Sequence, residues 1–92
     1  MNKELAKESA IAALTWLAQN PDDLSAFLTA SGATFDDLRV RSKEPEFLGF
    51  VLDFFMASDE LIISLSDELK IPPTELSLAR ALLPGGDLPN WT

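Results

Sequence analysis

The sequence contains no cysteine and no histidine. Without cysteine there is no disulfide framework and no thiolate metal site. Without either residue, the common transition-metal sites and the serine–histidine and cysteine–histidine nucleophile systems are excluded. Bases are scarce as well: seven Lys and Arg stand against fifteen Asp and Glu, for a net charge of −8. Such a chain repels polyanions such as DNA, RNA or anionic lipid unless its bases gather on one face. Arg39, Arg41 and Lys43 form the one local basic cluster, and only Lys70 and Arg80 follow them. Long apolar runs are missing too. The most apolar stretch, Phe47 to Ala57, is interrupted by Asp53 and is far shorter than the roughly 20 residues of a membrane span. The opening Met1-Asn2-Lys3-Glu4-Leu5-Ala6-Lys7-Glu8 has early acids and no continuous apolar segment, unlike a secretory signal. A cytoplasmic location without a membrane partner is the expectation.

What is present is helical periodicity. At 92 residues and 47% apolar content, the chain is sized for one domain with one modest core. Ala6, Ala10, Ala13, Leu14 and Leu17 form one apolar stripe from about Asn2 to Gln19, with Trp16 beside it. Asn20-Pro21-Asp22-Asp23 reads as a helix start, with Asn20 as the cap and Pro21 at the first helical position. Leu24, Phe27 and Leu28 then face inward, and Gly32 supplies a left-handed C-cap. Thr34-Phe35-Asp36-Asp37 resembles a capping box with Asp in place of Glu. Pro45 disfavours helical geometry at Glu44 and opens the next helix.

Residues 46–57 are apolar nearly all round, apart from the strip Glu46, Gly49, Asp53 and Ala57. A helix of that kind belongs at the centre, with Gly49 allowing one close crossing. Ser58-Asp59-Glu60 starts another helix, which Ile71-Pro72-Pro73 breaks. Pro73-Thr74-Glu75 opens the last, with Leu76, Ala79, Leu82 and Leu83 inward, and Pro84-Gly85-Gly86 stops it. The expected fold is all-α: a compact single-domain array of five to six helices around the 46–57 helix. Residues 1–83 form the domain and 84–92 a Pro/Gly-rich tail carrying Leu88 and Trp91.

Little in this pattern carries chemistry. The acidic pairs Asp22-Asp23, Asp36-Asp37 and Asp59-Glu60 sit in first turns, where negative charge complements the helix dipole. Neither they nor Asp67-Glu68 show calcium-loop spacing. Phe47, Phe50, Phe54 and Phe55 read as core rather than as a pocket lining. Residues 61–83 have the outline of a helix-turn-helix. Its second helix, however, offers Thr74, Glu75 and Ser77 with Arg80 as its sole base, which is poor chemistry for base edges and phosphates. No phosphate loop, nucleophile elbow or dinucleotide fingerprint is present, and no cofactor or metal is implied.

The stretches Trp16-Leu17-Ala18, Phe27-Leu28…Gly32…Asp37-Leu38-Arg39, Phe47-Leu48…Val51-Leu52-Asp53-Phe54, Asp59-Glu60 and Leu78-Ala79-Arg80…Leu83-Pro84-Gly85-Gly86 resemble, in order and spacing, an uncharacterised family. It comprises small acidic bacterial proteins of about a hundred residues, catalogued as a domain of unknown function. The resemblance implies a bacterial cytosolic origin and brings no activity, cofactor or site residue. By elimination, the expected function is a non-enzymatic protein-interaction or regulatory module. Its partner is another protein or a second copy of the chain, and Arg39, Arg41, Lys43, Leu88 and Trp91 are the candidate contacts. The alternative is a helix-turn-helix DNA-binding regulator using residues 61–83.

Overall fold

Two devices start the helices, and they alternate along the chain. In the computed structural model, which describes residues 1–84, the helices are α1 (Lys3–Ala18), α2 (Pro21–Ser31), α3 (Phe35–Arg41), α4 (Pro45–Met56), α5 (Asp59–Leu69) and α6 (Pro73–Ala81). The odd-numbered helices open on a side-chain cap. Asn2 accepts from the Leu5 amide at 2.9 Å, Thr34 from Asp37 at 3.2 Å and Ser58 from Leu61 at 3.3 Å. The even-numbered helices open on Pro21, Pro45 and Pro73, whose missing N–H removes a donor that would have no helical partner. Among the described residues there is no strand.

Two expectations are corrected at helix ends. Asn20 makes no side-chain cap to α2. Its side-chain amide donates backwards to the Trp16 carbonyl at 2.7 Å, beside the Gln19 N–H that the same oxygen accepts at the end of α1, so Pro21 opens α2 without it. Helix α6 stops at Ala81, ahead of the Pro84 stop signal. Its last turn tightens, with Leu82 donating to Leu78 and Ala79 and Leu83 to Arg80. Leu83 is still buried, as its pattern requires, while Leu82 is only half-buried. The other stops are as expected. Gly32 ends α2 at φ 75°, and Lys70 adopts the left-handed region at φ 59° before Ile71-Pro72.

The core lies between α1 and α4. Ala6, Ala10, Ala13 and Leu17 are fully buried on α1, and the small alanine side chains let α4 and α6 come close. Helix α4 buries Phe47, Leu48, Gly49, Val51, Leu52 and Phe55. Both helices touch α2, α5 and α6, so the centre is a helix pair rather than α4 alone. Phe27 of α2 plugs the Phe-rich face. Its ring lies 5.3–5.7 Å from those of Phe54, Phe47 and Phe50. Trp16 meets Phe55 edge-on at 5.5 Å. These tilted and edge-on arrangements match the quadrupole preference of aromatic pairs, and the stripe is core as expected. Each such ring removed from water contributes about 1.5–3 kcal/mol.

The polar strip of α4 faces α6. Arg80 reaches across with Nε and Nη2 on the two carboxylate oxygens of Asp53, at 2.6 and 2.8 Å, and donates Nη1 to the Pro84 carbonyl at 3.0 Å. Gly49 makes room for it: a Cβ there would lie 2.6 Å from Arg80 Nη1 and 3.0 Å from the Pro84 oxygen. The close approach at Gly49 is therefore to a guanidinium and to the backbone carbonyl of Pro84, not to the flank of a helix.

Candidate functional site

Helix α3 is the lightly held member of the bundle. It buries one side chain, Leu38, and makes only sparse contact with the other helices. Its seven residues depend on local chemistry instead. Thr34 and Asp37 complete a full capping box, with the Thr34 amide donating to the Asp37 carboxylate at 3.0 Å. Those hydrogen bonds, the backbone one first, hold the Asp37 carboxyl below the usual aspartate range. Ala33 and Leu38 occupy the two positions of a hydrophobic staple, and both are buried.

With the staple filled by Ala33 and Leu38, Phe35 has no place in the core. It stands at the first helical position, 63% exposed, and Val40 on the same helix is 65% exposed. Phe35 lies against α1 at a groove of about 370 Å³. Ile11, Leu14 and Ala18 form its α1 wall, and Phe35, Leu38 and Arg39 its α3 wall. Ile11 is also exposed, at 46%. The groove thus joins apolar side chains that the fold leaves in water to one guanidinium, with the Asp36 carboxylate and the Thr15 and Ser42 hydroxyls also in its lining. Among the described residues Arg39 forms no salt bridge.

The basic cluster of the sequence does not act as a unit. Arg39 faces the α1–α3 groove. Arg41 turns the other way, its guanidinium 4.7 Å above the Phe47 ring and 3.6 Å from the Glu44 carboxylate, beside a smaller cleft of about 260 Å³. Lys43 is exposed and lines neither. All three still follow or end α3, where positive charge complements the dipole. Leu88 and Trp91 lie outside the described residues. Phe35 and Ile11, by contrast, escaped the sequence reading. The available signals were an aromatic residue immediately after a cap whose staple was already filled, and a second short stripe on α1 at Ile11, Leu14 and Ala18.

Other chemistry is thin among the described residues. No three acidic side chains converge closely enough to hold a metal ion. No helix is long and apolar enough to cross a membrane. The single base of α6, Arg80, is committed to Asp53 and Pro84, and the helix presents Thr74, Glu75, Ser77 and Leu78 to solvent. Helices α5 and α6 follow one another across a short turn and touch, but among the described residues the second carries no free cation.

Neither the curated proteins nor the solved structures contain a match to this chain. A family described as "Protein of unknown function (DUF3572)" does match, over residues 3–86. That span takes in every helix from α1 to α6 and the Leu83-Pro84-Gly85-Gly86 run, and the chain belongs to this family of unknown function.

Proposed function

We propose that this protein is a non-catalytic binding module that receives a segment of another protein in the α1–α3 groove. One observation carries the reading: the most weakly packed helix exposes Phe35 at the mouth of a groove whose other walls are Ile11, Leu14 and Arg39. Exposed aromatic and aliphatic side chains grouped around a concavity mark interaction sites, whereas scattered ones need no explanation. The chemistry of the groove defines the partner. An apolar side chain fills the space between Phe35 and Ile11, and a carboxylate beside it meets Arg39. Among the described residues the groove brings only Asp36 and Arg39 as titratable groups to a mainly apolar lining, which supports binding rather than turnover.

The test is capture by the immobilised protein from a lysate of its source cell, with three variants compared. Phe35→Asp and Arg39→Glu lose the captured protein, while Val40→Asp, placed outside the groove lining, retains it. Capture that survives both groove substitutions, or a protein that retains nothing and elutes as free monomer, contradicts the reading. A dimer that dissociates on Phe35→Asp identifies the partner as a second copy.

A further inference from the structure

The outward face of α3 carries a pattern whose two ends complement each other. From Phe35 to Val40 the sequence runs apolar, acid, two further residues, base, apolar. Helical geometry gathers the outer four: at 100° per residue, Phe35, Arg39, Asp36 and Val40 fall in that order within an arc of about 140°. All four are exposed, Phe35 and Val40 more so than any other large apolar side chain among the described residues. Leu38, the one side chain that α3 buries, and Arg41, which turns to Phe47, lie outside the arc. The four form one strip rather than scattered exposures.

Folding does not use the charges of this strip. Asp36 and Arg39 stand three positions apart on one helix, a spacing that permits an ion pair. Among the described residues neither takes part in a salt bridge. The neighbouring Asp37 is committed to the Thr34 cap, whereas Asp36 is not. A second α3, laid antiparallel about a twofold axis between Asp37 and Leu38, supplies what is missing. Phe35 of each copy then lies opposite Val40 of the other, and Asp36 opposite Arg39. A closed twofold contact makes every such pair twice. A parallel alignment would instead set Asp36 against Asp36 and Arg39 against Arg39.

We propose that this chain forms a twofold-symmetric dimer through the outer face of α3. Phe35 of each copy packs on Val40 of the other, and two Asp36–Arg39 pairs fix the antiparallel register. The inference goes beyond the groove reading and does not need it, since Val40 lies outside the groove lining. Phe35 and Arg39 serve both faces, so the dimer and a segment seated in the groove exclude one another. The contact is small: α3 supplies seven residues, against about 20–30 a side in a standard interface. The dimer is therefore weak, with a dissociation constant on the order of 100 μM. The charge of −8 on each copy opposes association. Salt at about 0.15 M limits that repulsion to about 8 Å, while pairs in direct contact persist.

Sedimentation velocity of the full chain, from about 10 μM to about 1 mM in about 0.15 M salt, provides the test. The unmodified chain passes from monomer to dimer over this range. Val40→Asp, Asp36→Arg and Arg39→Asp each raise the dissociation constant about tenfold or more, with unchanged circular dichroism showing that each variant folds. Mixing the Asp36→Arg and Arg39→Asp chains restores the dimer. Each variant alone meets like charges at both pairs, and the mixture meets opposite charges at both. A chain that stays monomeric throughout overturns the proposal and leaves the groove reading to its own test, the lysate capture. A mixture that fails to restore the dimer overturns it as well. So does a dimer lost on Phe35→Asp but kept on Val40→Asp, which seats the second copy in the groove instead.

Discussion

Arg80 and Arg39 both project from short helices near the surface, and the chain treats them in opposite ways. Arg80 is drawn inward. Three of its nitrogens donate to Asp53 and to Pro84, a glycine is placed beneath it, and the side chain is only 13% exposed. Arg39 is left outside at the rim of a groove, next to Phe35, with no carboxylate partner among the described residues. The α4–α6 contact is thus a finished joint. The α1–α3 contact is unfinished, with apolar and cationic groups that folding does not use. The difference separates residues that hold the bundle from residues it offers to something else.

The comparison breaks most readily in the core. Phe55 is fully buried, packed on Trp16 and Phe54. Phe55→Ala is expected to cost about 3–5 kcal/mol in urea unfolding, from lost transfer energy and the cavity left behind. A loss below about 1 kcal/mol would place the centre of the fold elsewhere.

The finished joint comes next. In an exposed helix, Gly→Ala gains roughly 1 kcal/mol. At Gly49 the sign reverses. The added Cβ displaces Arg80 from both of its partners and presses on the Pro84 carbonyl, so Gly49→Ala loses about 1–2 kcal/mol net. Arg80→Ala in the same background then costs little more, because the contact is already gone. Full additivity of the two changes would show that glycine and arginine do not act together.

Smaller still is the titration of the α3 cap. Asp37 has a depressed carboxyl in the folded chain, so its contribution is complete above the unfolded pKa of about 3.9 and is lost as pH falls through the lower native value. Amide exchange of α3 accelerates in that acidic window before the rest of the chain responds, and Asp37→Asn removes the acceleration. An α3 whose protection follows the core at every pH would contradict its light attachment.

Much of the fold is legible in the sequence because it rests on local rules. The α1 alanine stripe, the Thr34–Asp37 box, the left-handed Gly32 and the apolar 46–57 helix all act within a few residues of themselves. What was not legible depends on partners distant in sequence or on competing local acceptors. Asn20 had two helices to serve and chose the carbonyl behind it. Arg80 meets Asp53 across 27 positions, so no periodicity could announce the pair. The basic cluster looked like one feature, yet Arg39 and Arg41 lie two residues apart on a helix and so diverge by about 200°. Phe35 had the composition of a core residue, and only the filled staple beneath it decides otherwise.

The most direct test of the unfinished joint is the urea unfolding of Phe35→Asp beside the unmodified chain. If Phe35 is surplus to folding, the midpoint and slope stay together and stability changes by no more than about 0.5 kcal/mol. A loss of 2 kcal/mol or more would show that the aromatic ring is part of the core, and that α3 holds the bundle rather than offering a face to a partner.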